Sequence, residues 1–393
     1  MPTEATVPST EPTHADEKLA QLFRAVTIAH PKMLVAKRRL MEFLSDAPRN
    51  SVIFVLGPTG VGKSTLRTKV ESEIKSTVAE ELQTDCGRLP VVSLEAEAPD
   101  TGIFSWRDHF KRLLEAMREP LIEYKLDRRG RPWACGKLPP QCECGPRASG
   151  ADYRYSVEQA IRYRRPAAVF IDEAQHLSKM NSGRRLVDQL DVIKSIANHT
   201  ATPHVLIGTY DLLAFRNLSG QLSRRSLTIH LGRYRTDQPG DAAVFVNVVR
   251  SFGAHLPLQC QDEFTKEWEF LYERSIGCVG ILKDWLVQAL SMMLRRGGQY
   301  LERRDLEVTA LSVNQCEKIL AECIEGEMQI EESEESRMYL RVRLGLEGRG
   351  AERSATPTGV AEHVRHAHGR NRRPGQRLPV RDPIGREAVS HGA

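Results

Sequence analysis

Residues 57–66 read GPTGVGKSTL, and Gly57-Pro58-Thr59-Gly60-Val61-Gly62-Lys63-Ser64 fits G-x-x-x-x-G-K-[ST] at every fixed position. The glycines let the backbone turn so that its N–H groups face phosphate oxygens. A helix N-terminus after the loop adds positive potential, the lysine reaches the β- and γ-phosphates, and the serine ligates Mg²⁺. Context agrees on both sides. SVIFVLG (51–57) is a short apolar, β-branched run ending at glycine, and KSTLRTKVESEIKSTVAEEL (63–82) has the character of a helix. This stretch predicts an α/β fold that binds a nucleotide.

Working outward, buried strands are expected at RLPVVSLEAE, AAVFID (167–172), PHVLIGT (203–209) and LTIHL (227–231). Leu186, Leu190, Ile193 and Ala197 recur at four, three and four residues, an amphipathic helix. Strands alternating with helices imply a central parallel five-stranded sheet covered on both faces. From 241 onward the strand signals stop. DAAVFVNVVRSFG, DEFTKEWEFLYERS, VGILKDWLVQALSMML and VNQCEKILAECIEGE read as four helices of a small all-α lid.

At 393 residues the chain exceeds a single core. The expected division is a disordered leader over 1–18, an α/β nucleotide-binding domain over 19–235, a helical lid over 236–345 and a flexible basic tail over 346–393. The opening MPTEATVPSTEPTHADEK is acidic and Pro/Thr-rich with no apolar core, unlike a signal or transit peptide. No run of about eighteen apolar residues exists, so no spanning helix is expected. Eight cysteines are sparse for this length. A disulfide framework is not expected, and the location expected is cytoplasmic.

Phe170-Ile171-Asp172-Glu173 ends the third strand in two adjacent carboxylates. Strand alternation would send them to opposite sides and so give them different work. Asp172 suits the Mg²⁺ shell, the Walker-B role. Glu173 suits polarisation of an attacking water, general-base work that separates hydrolases from small P-loop kinases. Thr209, ending the fourth strand, would lie beside the phosphates and orient that water. Arg224 and Arg225 precede the fifth strand, and either guanidinium, supplied to a neighbouring subunit, would neutralise charge on the transferring phosphoryl group. Lys283, in the lid helix after Gly277 and Gly280, would reach the γ-phosphate and report hydrolysis to the lid.

The segment 124–147, YKLDRRGRPWACGKLPPQCECGPR, has six basic residues against two acidic ones, with Tyr124 and Trp133 interleaved. Cations on such an insertion (about 124–150) would track a duplex through its phosphates rather than read its bases. Lys125, Arg128, Arg129, Arg131 and Lys137 are the candidate DNA contacts, a solvated insertion loop being the other reading. Cys135, Cys142 and Cys144 lie in the same stretch as C-x6-C-x-C, without the C-x2-C knuckle of common zinc sites, so zinc is not expected. His176 reads as a packed or capping histidine. The Arg-rich tail would add nonspecific DNA affinity or order on a partner, or remain a solvated segment.

Phosphate loop, Asp-Glu strand, polar-ended strand, arginine pair and helical lid follow one another in the order of the AAA+ ATPases, which the chain resembles over roughly residues 20–325. Within that family, VFIDEAQHLSKM, HVLIGTYDLLAF and LSGQLSRRSLTIHL look like the transposon-encoded ATPases of the TnsC/TniB type. That resemblance implies ATP- and Mg²⁺-dependent homo-oligomerisation on double-stranded DNA, as a ring or helical filament, and nucleoid association. It also implies target-site choice and recruitment and activation of a transposase, with a target-selector protein as a further partner and hydrolysis driving disassembly. The nucleotide loop of the family falls on Gly57 to Thr65, its Walker-B acids on Asp172 and Glu173, its sensor-1 residue on Thr209 and its finger on Arg224 or Arg225. At the sensor-2 position, where arginine is common, this chain offers Lys283. The linker over adenine falls on His30 and Pro31, where an ordinary loop start is the other reading. Other readings are a replication initiator or helicase loader, a secretion-type ATPase, and a nucleotide-dependent signalling switch.

Overall fold

A computed structural model of the chain describes residues 14–46, 48–99, 102–122, 149–179, 186–216, 226–331 and 333–346. Lys125, Arg128, Arg129, Arg131 and Lys137, the three cysteines at 135, 142 and 144, Arg224 and Arg225, and the tail from 347 all lie outside the described residues. The described residues fall into two compact units that divide after Glu332.

In the first unit five strands, β1 (Val52–Leu56), β2 (Val92–Glu95), β3 (Val169–Asp172), β4 (His204–Gly208) and β5 (Ser226–His230), form one sheet in the order β2-β3-β4-β1-β5. Every pairing is parallel; Val52 is opposite His204 on one side and Ser226 on the other. A parallel sheet needs both faces covered, and the period of two makes that cover divisible. Val52, Phe54 and Leu56 of β1 join Val169, Ile171 and Leu206 in one apolar cluster. Ile53 and Val55 join Ala168, Phe170, Val205 and Ile207 in another. Each fully buried Leu, Ile or Phe of this kind contributes about 1.5–3 kcal/mol.

The first face is covered by α5 (Trp106–Ala116), α6 (Gly150–Arg164) and α7 (Leu186–Thr200), the second by α2 (Pro31–Asp46) and α3 (Lys63–Thr77). Their starts are written locally. Pro31 opens α2, where a missing N–H is harmless. Ser105 caps α5, and Ser149 with Asp152 forms a capping box on α6. The short α4 (Ala79–Thr84) extends α3, and α8 (Leu213–Arg216) follows a 3₁₀ turn after β4.

The helical C-terminal region holds a third cluster. It comprises α9 (Asp241–Gly253), α10 (Gln261–Lys266), α11 (Trp268–Ser275), α12 (Val279–Arg295), α13 (Arg303–Thr309) and α14 (Val313–Ile330). Two departures from the sequence reading occur here. The helix expected over 262–275 breaks at Glu267, and the seven-residue α13, held by its own Glu302–Asp305 capping box, was not foreseen. At the N-terminus α1 (His14–Ala25) begins inside the stretch expected to be leader, and Phe23 joins this third cluster, 6.3 Å from the ring of Phe252. Among the described residues no single helix is long and apolar enough to cross a membrane. Together α11 and α12 have that length and composition but bend by 109°. Leu271, Leu282, Trp285 and Leu286 on them lie inside the cluster. The second unit is described through α15 (Glu334–Arg343), capped by Ser333.

Candidate nucleotide site

In an open parallel sheet, ligands bind beyond the carboxyl ends of the strands. Here β1, β3 and β4, adjacent through β4, present there the phosphate loop, the acidic pair and Thr209.

Gly57 leaves β1 under the carbonyl of Leu231, and a Cβ would sit 2.2 Å from that oxygen. Gly60 and Gly62 hold φ of 71° and 105°, left-handed values that only glycine adopts cheaply. Between Pro58, which is buried, and Gly62 the loop exposes Thr59 and tucks Val61 inward. Lys63 is buried, and its ammonium donates to the carbonyls of Gly57 at 3.0 Å and Pro58 at 2.9 Å. Burial lowers its pKa, with the negative charges of Glu173 and Asp172 opposing the shift. A desolvated cation inside a backbone cradle favours an incoming anion. Ser64 is exposed in the first turn of α3, and Thr65 beside it is half-buried.

Asp172 is buried at the end of β3. It accepts from the Glu173 N–H at 3.0 Å and lies 3.3 Å from Arg67 of α3. Sequence reasoning missed Arg67, four residues after Lys63 on the same helix. Strand alternation does not part the two acids. β3 ends at Asp172, and Glu173 takes the left-handed conformation with φ 49° and ψ 33°. The carboxylates are separated by a kink in the backbone, not by the pleat. Asp172 faces α3 and Arg67, whereas Glu173 receives the side-chain amide of Gln175. Thr209 donates its N–H to Gln175 at 3.3 Å, while its own hydroxyl oxygen is buried without a partner. His176 lies in the following 3₁₀ turn with Nδ1 buried and unpartnered.

Beside these residues lies a cavity of about 860 Å³, lined by Thr59, Gln175 and Thr209 and, from α14, by Glu322, Cys323 and Gly326. α14 spans the carboxyl end of the sheet. Gly326 lies on Tyr210, which follows β4, so closely that a Cβ would be 2.1 Å from the ring. Glu327 takes Arg233, which follows β5, in two hydrogen bonds of 3.0 and 3.1 Å. Since β1 lies between β4 and β5, the helix crosses the end of β1. Neither contact was legible in the sequence.

The lid meets the loop at another point than expected. Ile281 N–H donates to the carbonyl of Gly60 at 3.0 Å, and a Cβ on Gly280 would be 2.3 Å from that oxygen. The ammonium of Lys283 is placed 2.8 Å from the carbonyl of Arg24, at the end of α1, rather than on the loop. Gly280→Ala therefore sets two effects against each other. Helix propensity alone favours alanine by about 1 kcal/mol. Overpacking against a backbone oxygen costs about 1–3 kcal/mol, and the expected net result is a lower thermal midpoint; a raised one would show that the lid yields freely.

His30 and Pro31 lie at the start of α2, where the methyl of Met33 comes within 3.0 Å of a Cβ built on Gly62. The His30 imidazole is buried, its Nδ1 is 2.8 Å from the Tyr234 hydroxyl, and burial with the nearby Lys32 charge lowers its pKa to about 4. It is neutral at neutral pH.

A family model described as an AAA domain matches residues 48–215, the span from just before β1 to the end of α8. That span, which is similar to an AAA domain, holds β1 to β4; β5, which completes the five-stranded parallel sheet, and the helical C-terminal region follow it. Among curated proteins nothing matches the chain. Among solved structures it is similar to the ORC2 protein of Aeropyrum pernix, solved in ADPNP–ADP complexes, with 14% identity, 80% of this chain and 70% of that one covered, and a TM-score of 0.47. Drosophila ORC bound to DNA gives 13% identity, 88% of each chain and 0.46. A Walker-type ATPase of Pyrococcus abyssi gives 17%, 79% and 75%, and 0.40.

Proposed function

We propose that the chain is an ATPase whose nucleotide state governs the assembly of its copies on duplex DNA. What supports the hydrolytic half is one convergence: a buried lysine cradled in a phosphate loop, two differently held carboxylates and an unpartnered hydroxyl, all at the carboxyl ends of three neighbouring strands. In this reading Gly57 to Thr65 wrap the phosphates, and Lys63 exchanges its carbonyls for β- and γ-phosphate oxygens. Glu173 takes the proton of the attacking water, and the Thr209 hydroxyl orients that water. His30 and Pro31 flank the base.

Among the described residues there is no group of three or more acidic, histidine or cysteine side chains that could hold a metal. Mg²⁺ in nucleotide sites is held by one or two protein oxygens, waters and the phosphates. Ser64 with Asp172 fits that donor set, and the ion would neutralise charge on the phosphates. Arg224 or Arg225 of a neighbouring copy would complete the site.

The DNA half is supported by the resemblance to DNA-assembling AAA+ ATPases and by the basic residues of 124–147. Two roles use this chemistry: a regulator of transposition that recruits a transposase, and a replication initiator or helicase loader. The proposed setting is cytoplasmic. Electron microscopy with duplex DNA decides the assembly step. Rings or filaments on DNA are expected with a nonhydrolysable ATP analogue and not with ADP; single copies under both conditions would remove it. Stimulated strand transfer by an added transposase then selects the first role, and loading of a replicative helicase the second.

A further inference from the structure

The side chain that spans from the acidic turn after β3 to the end of β4 has no assigned role. Gln175 lies two residues beyond Glu173 in the 3₁₀ turn, and both ends of its amide are engaged. Its oxygen accepts from the Thr209 N–H at 3.3 Å, and its nitrogen donates to a carboxylate oxygen of Glu173. The orientation of a glutamine amide follows from its partners, and these partners allow one orientation. A backbone N–H requires the oxygen, which leaves the NH₂ for the carboxylate. Sequence makes room for the bridge as well: a Cβ on Gly208 would sit 2.3 Å from the Gln175 oxygen.

We infer that Gln175 is the positioning residue of the hydrolytic site, fixing the carboxylate of Glu173 at a set distance from Thr209. The inference rests on the ATPase reading and deepens it. The left-handed backbone at Glu173 removes the strand as a support, so the carboxylate's direction has to be set by a side chain. Gln175 supplies that support by its bond to the N–H of Thr209, the residue directly after β4 whose hydroxyl is unpartnered. One carboxylate oxygen takes the amide hydrogen and the other stays open for a water proton. Base and hydroxyl then move as a pair, and a shift of about 1 Å between such groups is enough to slow a reaction about a hundredfold.

The test compares the unaltered protein with Gln175→Ala, Gln175→Glu and Glu173→Gln, reading nucleotide affinity with a fluorescent ATP analogue, kcat from phosphate release, and the thermal midpoint. Gln175→Ala is expected to keep affinity within about threefold and to lower kcat roughly 10–100-fold. Gln175→Glu keeps an acceptor for the Thr209 N–H but loses the hydrogen that Glu173 accepts, so kcat falls at least as far as in Gln175→Ala while affinity stays within about threefold. A merely structural role would lower the thermal midpoint and the affinity together with turnover.

If the unaltered protein turns over ATP, Glu173→Gln does not, and Gln175→Ala is as fast as the unaltered protein, the positioning role is overturned and the ATPase reading stands. If affinity and the thermal midpoint fall with turnover in Gln175→Ala and Gln175→Glu alike, the side chain is structural and the inference fails. If the unaltered protein does not hydrolyse ATP, with or without duplex DNA, the ATPase reading fails and takes the inference with it.

Discussion

Replacing Glu173 by glutamine is expected to leave ATP binding within about threefold and to cut turnover about 10²–10⁴-fold, a barrier increase of about 3–5 kcal/mol. The substitution is isosteric, so the left-handed turn at 173 keeps its shape. The Gln175 amide still finds an oxygen to donate to. Asp172 keeps Arg67 and the N–H of residue 173, and Lys63 keeps its cradle. What disappears is the basic lone pair that takes a proton from water. Equilibrium titration with a fluorescent ATP analogue and steady-state phosphate release separate the two quantities. If hydrolysis dismantles the assembly, the variant also holds DNA-bound oligomers long after the unaltered protein has released them. Turnover within twofold of the unaltered protein would remove Glu173 from the chemistry, and rapid disassembly by the variant would end the idea of ATP as a timer.

What could be read in advance divides along a physical line. VIFVL, VFID and HVLIG were legible as strands because a parallel sheet buries both faces, which writes a continuous apolar run into the sequence. The loop at 57–64 was legible because its geometry needs glycine at fixed spacing. The turn at Glu173 was not, since a left-handed glutamate has no local signature; its partners Asp172 and Gln175 are near in sequence, but nothing in the sequence tells that they hold it so. Gln175 stands in the quoted motif, yet its bond to Thr209 joins residues 34 apart. Arg233 and Glu327 are 94 apart, and nothing in either residue names the other. Lys283 was counted onto the correct helix, but its direction is set by a carbonyl at the end of α1, which helical periodicity does not reveal. Position along an element is a local property; the neighbour across the fold is not.

That distant pair carries the largest stability effect expected in the molecule. Glu327→Ala should lower the unfolding free energy by about 3–5 kcal/mol, the usual consequence of removing one member of a buried ion pair. Arg233 is 9% exposed and Glu327 4%, so neither charge can turn to water. Burial alone would lower the Arg233 pKa, and the charge of Glu327 and its hydrogen bonds raise it overall; without Glu327 that compensation is gone, and the guanidinium, too basic to lose its proton, is left buried with its charge. By contrast, the exposed Arg303–Glu307 pair one turn apart on α13 contributes about 0–1 kcal/mol. Thermal denaturation should show a fall of roughly 5–15 °C for Glu327→Ala. Arg233→Met with Glu327→Leu should recover most of it, because two apolar side chains of similar volume need no charge compensation. Hydrogen exchange along α14 should quicken in the single variant, as the helix loses its buried anchor beyond β5 and keeps there only the exposed Arg235–Glu331 pair, with Tyr210 beyond β4. A loss under about 1 kcal/mol would mean that the pair does not hold the helix across the end of β1. An equal loss in the double variant would instead place the energy in the seating of Gly326 on Tyr210.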